Sequence, residues 1–433
     1  MTPVARLSAA IEALADIEQR RRPANDALKD WGLSHRFAGS GDRAAIAGLV
    51  YDALRRRASS AFVMGEDTPR AIALGSLRLE RKLDLDAIAQ LADGGRFASG
   101  PLSDNERARL EAASLDGAPP WIAGDYPEWL DASLARVFGE ERAAEGAALA
   151  SRAPLDLRVN TLKSSREDAA AMLADLSPAA TRWSPNGLRI VLAADAKSPA
   201  VHAEPAFIKG HVEVQDEGSQ LAALLTGARS GEQVVDLCAG AGGKTLALAA
   251  AMENHGQIFA TDTDKRRLAP IHDRLLRSGA RNVQVRTPKS VGDTIADLAG
   301  RIDLVLIDAP CTGTGAWRRN PDAKWRVRPG ALEQRQKEQA AALDRAVPLL
   351  KPAGRIAYVT CSVLEEENGA QIRAFLARQP GFALVPPAEL ANALGERGFL
   401  FRRAVLLSDT GLLMTPRRTD TDGFFVAMLR KSA

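Results

Sequence analysis

From Gln233 to Val359 the chain alternates short apolar runs with amphipathic stretches. This alternation constrains the fold more than any other feature of the 433 residues. The apolar runs are Gln233 to Leu237, Gln257 to Ala260, Asn282 to Val285, Leu304 to Ile307 and Gly354 to Val359. Between them lie Lys244 to Met252, Lys265 to Ser278, Thr294 to Leu298 and Leu332 to Leu350, which read as helical. Strands of this kind separated by helices predict an open parallel sheet. Such sheets bind ligands outside the carboxyl ends of their strands. Three of those ends carry the chain's three cysteines, Cys238, Cys311 and Cys361, each where an apolar run gives way to small and polar residues.

Three cysteines in a chain this long exclude a disulfide framework, and none form C-x-x-C or a local zinc pattern. No metal is therefore expected. The apolar share of 46% and charged share of 26% are those of an ordinary globular protein. No uninterrupted apolar run reaches the roughly eighteen residues of a spanning helix. Asp16 and Glu18 interrupt the first apolar pattern, so no signal peptide is read there. A cytoplasmic location is expected. The net charge of +3 does not by itself call for nucleic acid, so clustering matters more. Arg20 to Arg22 and Arg55 to Arg57 read as solvated faces. The run Trp317-Arg318-Arg319-Asn320-Pro321-Asp322-Ala323-Lys324-Trp325-Arg326 mixes bases with tryptophans just after Cys311. That mixture reads as a nucleic-acid contact, with Arg318, Arg319, Lys324 and Arg326 on phosphates and Trp317 or Trp325 stacking.

Composition shifts divide the chain into three. Residues 1–120 read as a small helical domain: Leu7, Ile11, Leu14 and Ile17 recur at helical spacing. Ser40 and Asp42 can cap the helix that carries Ile46, Leu49, Val50 and Leu54. Residues 121–205 read as a small α+β segment, with strands at Leu155 to Asn160 and Leu188 to Leu192 and capping boxes at Ser164 and Ser165. Residues 206–433 hold the strand–helix alternation. They close with Leu412 to Met414 and Phe424 to Leu429, an antiparallel pair with Asp422-Gly423 as a turn signal.

The first strand of the alternation runs into Asp236-Leu237-Cys238-Ala239-Gly240-Ala241-Gly242-Gly243-Lys244-Thr245. Small residues let backbone approach a ligand, and the following helix start offers N–H groups. Asp262, at the end of the second strand, stands where an acid binds ribose hydroxyls. The turn is neither GxGxxG nor GxxxxGK[ST], which disfavours a dinucleotide or a nucleoside triphosphate. An adenosyl-type cofactor fits the turn, Asp262 and the cysteine segments together. The pairing of Asp308-Ala309-Pro310-Cys311 with the later Thr360-Cys361 points to a nucleophile site, and Cys238 reads as a packed thiol beneath the loop.

These segments, with Thr360-Cys361-Ser362-Val363-Leu364-Glu365-Glu366-Glu367-Asn368, closely resemble the RsmB/Sun (NOL/Nop) family of RNA cytosine-5 methyltransferases in order and approximate spacing. Arg158-Val159-Asn160-Thr161-Leu162-Lys163 and Asp422-Gly423-Phe424-Phe425 are similar to that family as well. Residues 1–120 more loosely resemble the NusB-like RNA-binding domain of its bacterial members. The chain departs at Gly240-Ala241, where the family usually has Ala-Pro, and after the third strand, where no acid precedes Asp293.

The resemblance implies a Rossmann-like class I methyltransferase domain preceded by a small α+β domain and an all-α domain. S-adenosylmethionine would sit on Cys238, Ala239, Gly240, Ala241, Gly242, Gly243, Lys244, Asp262 and Asp308. Position 5 of cytosine is a poor nucleophile, and adding a thiolate to carbon 6 activates it. The resemblance makes Cys361 that nucleophile and Cys311 the group assisting release. Asp308 would hold the base edge in a partly dry pocket, and Lys244 would orient the base or lower a thiol pKa. The implied substrate is small-subunit (16S) ribosomal RNA, met by a monomer. Two readings compete: a DNA cytosine-5 methyltransferase using Pro310-Cys311, and a non-catalytic RNA-binding or assembly factor on the same fold.

Overall fold

The computed structural model describes residues 1–433 except 94, 193–198 and 290–291. Two compact units divide it. The first comprises chiefly Met1–Ala153 and, from far along the chain, Trp317–Val327. The second comprises Pro154–Val191, Pro199–Ala316 and Arg328–Ala433. These units do not follow the composition shifts at 120 and 205. Residues 121–153 fold as helices within the first unit, because Pro120–Ala123, Asp131–Phe138 and Arg142–Ala150 are all helical.

The first unit is all helix. Helices Pro3–Arg20, Ser40–Arg55 and Pro69–Leu79 bury Leu7, Leu14, Ile17, Ile46, Val50 and Leu74 in one core. Thr2 caps the first helix by accepting from the Ala5 amide. Asp42 does not cap its own helix. Its carboxylate takes the Met1 ammonium at 3.1 Å and Arg6, so a terminal charge outcompetes the local cap. Within the arginine clusters Arg22 pairs with Asp16 and Asp30, Arg56 with Glu80 and Arg57 with Glu18 and Asp67, whereas Arg55 is buried and donates to the Ser151 and Arg318 carbonyls.

The second unit holds two sheets. Strands β1 (Leu155–Val159), β2 (Ala179–Ala180), β3 (Gly187–Ile190) and β4 (Val212–Val214) form a four-stranded sheet in the order β2-β3-β1-β4, its described pairs antiparallel. Strands β5 (Gln233–Asp236), β6 (Gln257–Ala260), β7 (Val283–Val285), β8 (Ile302–Asp308), β9 (Leu350–Thr360), β10 (Phe382–Leu384), β11 (Leu406–Leu407), β12 (Leu412–Met414) and β13 (Phe424–Lys431) form the nine-stranded sheet. Its order is β11-β12-β13-β9-β8-β5-β6-β7, with β10 on β13. The stretch β9-β8-β5-β6-β7 is parallel, and its inner strands are buried along nearly their whole length. The chain winds outward from β5 through β6 to β7, then crosses back to β8 and β9. That reversal beside β5 opens a crevice at the carboxyl edge.

β12 and β13 pair as expected, Leu412 opposite Val426. Asp422-Gly423 is not their hairpin turn, because helix Pro416–Thr419 intervenes. Gly423 instead lies against the loop after β8. A Cβ on Gly315 would sit 2.1 Å from the Gly423 carbonyl oxygen, so both positions need glycine for backbone to touch backbone. The Gly423 amide donates to the Gly315 carbonyl at 2.8 Å and locks the contact. No described helix is long and apolar enough to cross a membrane.

Candidate active site at the carboxyl edge of the parallel sheet

Three strand ends converge on the crevice. After β5 the chain turns through Gly240 and Gly242, at φ +50° and +84°, into helix Gly243–Ala251. A Cβ on Gly242 would fall 2.5 Å from Cγ1 of Ile271, so the helix can start there only with glycine. A Cβ on Gly240 would meet nothing nearer than Arg267 Nη2 at 3.8 Å, which leaves open space beside the loop. Asp262, after β6, braces this turn. One oxygen accepts from the Gly240 amide at 3.0 Å and the other from the Asp264 amide at 2.9 Å. Arg267 lies 3.9 Å from the same carboxylate.

Beneath the loop, Asp236 is buried and accepts from the Thr245 hydroxyl at 2.7 Å. Burial pushes this carboxyl up to about 7. Burial also raises the Cys238 thiol well above the usual range, with Asp236, Asp308 and Asp262 adding to the effect, as suits a packed, unreactive sulfur.

β8 delivers Asp308. Lys244, on the first turn of the helix after β5, donates to Asp308 at 2.7 Å and stands 5.0 Å above the Phe424 ring. An ion pair thus replaces the dry carboxyl pocket expected from sequence, and Lys244 is tied to the carboxylate. Cys311 and Cys361, fifty residues apart, bring their sulfurs to 3.3 Å. The sulfur contact with Cys361, then burial, then the Glu367 charge hold the Cys311 thiol far above its ordinary pKa. The Gly315 amide donates to the Cys361 carbonyl at 2.9 Å and joins the two loops behind the sulfurs.

The basic-aromatic run lies elsewhere than expected. Residues 317–327 belong to the helical unit, where Trp317, Arg318 and Lys324 are each 1% exposed. Lys324 donates to the carbonyls of Arg55 at 2.8 Å and Asp125 at 2.7 Å, and the Trp325 indole donates to the Leu54 carbonyl at 2.7 Å. Arg318 and Lys324 are therefore interior groups, not phosphate ligands, and Trp317 offers no face for a base. Arg319 and Arg326 keep access to solvent, Arg326 beside Asp322 at 2.9 Å.

A family model described as 16S rRNA methyltransferase RsmB/F matches residues 223–430, and a second, RsmF/B-like, ferredoxin-like domain, matches 126–197. Ribosomal RNA small subunit methyltransferase B of Citrobacter koseri is 35% identical over 311 residues, 71% of this chain and 66% of the relative. The chain belongs to the RsmB/F methyltransferase family. The probable ribosomal RNA small subunit methyltransferase B of Synechocystis sp. is 28% identical over 97% of this chain and 98% of its own length. In the Citrobacter relative the match spans just under two thirds of the protein. The crystal structure of PH0851 covers 100% of this chain and 99% of its own at TM-score 0.70 and 25% identity.

RsmB/F members draw their methyl group from S-adenosylmethionine. One feature of the crevice fits it: the open space beside Gly240, where an added Cβ would meet nothing nearer than 3.8 Å. Asp262 and the helix start at Gly243 would hold the ribose and the charged end of the cofactor. Asp293, the first acid after β7, pairs with Arg345 at 2.7 Å. Reading the sequence named no role for Asp236, Thr245, Glu367 or Asn368. All four lie inside quoted motifs, within a few residues of a cysteine or glycine that drew attention first.

Proposed function

We propose that this protein is an S-adenosylmethionine-dependent RNA cytosine-C5 methyltransferase acting on small-subunit ribosomal RNA in the cytoplasm. The observation that carries the reading is the meeting of Cys311 and Cys361 at 3.3 Å, beside the strand that ends in Asp308. Methylation at carbon 5 needs one sulfur to add at carbon 6 and a second group to complete elimination. A pair of thiols at two adjacent strand ends supplies both. S-adenosylmethionine supplies the electrophilic methyl group.

Cys361 attacks carbon 6 as the thiolate. After methyl transfer a solvent base takes the carbon-5 proton, the carbon 5–carbon 6 double bond re-forms and Cys361 leaves as the thiolate, while the Cys311 thiol, 3.3 Å away, assists by hydrogen-bonding the departing sulfur. Asp308 accepts from the exocyclic amine or shares a proton with N3, and Lys244 fixes its orientation from 2.7 Å. The target base reaches the crevice only when unstacked. The relatives' names as small-subunit ribosomal RNA methyltransferases favour that RNA as substrate. Residues 1–120, as a NusB-like domain, would contact RNA by shape and phosphates, and Arg319 and Arg326 remain candidates for such contacts.

Cys361→Ala is expected to abolish methyl transfer, and Cys311→Ala to accumulate a denaturation-stable protein–RNA adduct on gels. An adduct seen with Cys361→Ala but never with Cys311→Ala would overturn the assignment and move the nucleophile to Cys311, as in the DNA enzymes.

A further inference from the structure

Two consecutive residues grip both cysteine loops. Glu367 ends the short 3-10 turn Glu365–Glu367 and is fully buried. Its carboxylate accepts from the Thr312 amide at 2.8 Å, the Thr312 hydroxyl at 2.5 Å and the Gln339 amide at 3.1 Å. Gln339 also donates to the Pro310 carbonyl at 2.9 Å. The residues on either side of Cys311 are thus tied to Glu367, one directly and one through Gln339.

Asn368 treats Cys361 in the same way. Its side-chain oxygen accepts from the Thr360 hydroxyl at 2.6 Å, and its nitrogen donates to the Ser362 carbonyl at 2.9 Å. Thr360 and Ser362 flank Cys361. The backbone of the pair is anchored too, because the Tyr358 hydroxyl donates to the Glu367 carbonyl at 2.6 Å. A single peptide unit therefore reaches the neighbours of each sulfur.

We propose that Glu367 and Asn368 are positioning residues of the two-cysteine centre, Glu367 holding the Cys311 loop and Asn368 the Cys361 turn, so that one dipeptide sets the sulfur separation. The inference rests on the two-cysteine chemistry proposed above. Glu367 has a second effect. Three N–H and O–H donors converge on its carboxylate, an arrangement that suits the anion even though burial raises its pKa. The titratable groups facing Cys311 are Cys361, Glu367 and, behind them, the Tyr358 phenol. Among these only Glu367 is a carboxylate, and its charge disfavours a thiolate on Cys311. Position and proton would thus be set by the same side chain.

The test measures Cys311 alkylation by iodoacetamide against pH, peptide by peptide in a mass spectrometer, in a Cys361→Ala background. Adding Glu367→Gln is expected to lower the pH midpoint of Cys311 alkylation by about half a unit or more, since an uncharged amide replaces the carboxylate. An unmoved midpoint overturns the role of Glu367. In a Cys311→Ala background, adding Asn368→Ala is expected to slow adduct formation with RNA at least tenfold while cofactor affinity stays constant. An unchanged adduct rate overturns the role of Asn368. If Glu367→Gln does not fold, Thr312→Val takes its place. It removes the hydroxyl donor and keeps the charge, so Cys311 alkylation should quicken at every pH with an unshifted midpoint, and no acceleration refutes the proposal. Should Cys311→Ala alone form no adduct, the two-cysteine reading fails by itself, and the alkylation profile still reports on Glu367.

Discussion

Two buried lysines, one in each unit, meet different fates. Lys244, 7% exposed, has a counter-charge: it donates to Asp308 at 2.7 Å in the crevice. Lys324, 1% exposed, donates to the backbone carbonyls of Arg55 and Asp125, and burial draws its pKa down to about 7. Carbonyls take the hydrogen bonds of Lys324 and the nearby buried Asp125 carboxylate offsets only part of its burial, whereas Asp308 both accepts from Lys244 and carries its counter-charge. The contrast separates a lysine ion-paired in the crevice from one hydrogen-bonded inside the helical unit, although both lie in motifs that read as functional. Lys244→Met should therefore leave Asp308 unpaired and cut methyl transfer by about 100-fold or more, the order seen when one oriented electrostatic partner is lost, with little change in melting temperature. Lys324→Met should do the opposite. Two carbonyls lose their donor in the helical core at about 1–3 kcal/mol each, partly offset because a buried amine is gone, so the melting temperature should fall by several degrees. Methyl-transfer assays and thermal melts on both variants would check this, and the reverse pattern would dissolve the contrast.

The same lysine gives the helical unit a pH signature. In the unfolded chain Lys324 titrates near the ordinary lysine value of 10.5, and in the folded one burial draws it down to about 7. Between those values the unfolded state binds the extra proton, so stability rises with pH across that window. Below about 7 both states are protonated and this contribution no longer changes. One such group adds a slope of about 1.4 kcal/mol per pH unit. Denaturant titrations of wild type and Lys324→Met between those limits should differ by about that slope, and parallel curves would mean that Lys324 titrates normally.

Much of the second unit was legible because its strands are apolar for most of their length. β6 spans Gln257–Ala260 as read from sequence, and β5 and β8 differ only at their ends. Strand ends could then be identified by where small residues begin, which located Cys238, Asp308 and Cys361. The destination of Trp317–Val327 was not legible. A mixed basic and aromatic run has the same composition on an RNA face and in a helical core, and the carbonyls that receive Lys324 come from residues 55 and 125. Nor could sequence single out Glu367 among three consecutive glutamates. The short turn aims Glu367 inward at Thr312 while Glu365 pairs with Arg373, and that difference of direction exists only once the chain is folded.

Asp322 and Arg326 offer the finest test of how the 317–327 segment is held. Asp322 is buried, and besides Arg326 it accepts from the Ala24 amide at 3.2 Å. Helix Ala24–Ser34 begins after Pro23, which has no side-chain oxygen to cap it. Asp322 therefore caps that helix from far along the sequence. Asp322→Ala should cost about 1–2 kcal/mol, as lost caps do. Arg326 is 39% exposed, and its pair with Asp322 is one helical turn long. Exposed pairs of this spacing are worth about 0.3–0.5 kcal/mol, so Arg326→Ala should barely move the denaturation midpoint. If Arg326 also meets an RNA phosphate, the same variant should weaken RNA binding and reduce its salt dependence by about one charge. A stability loss as large as that of Asp322→Ala would instead show that the ion pair, not the cap, fastens the segment.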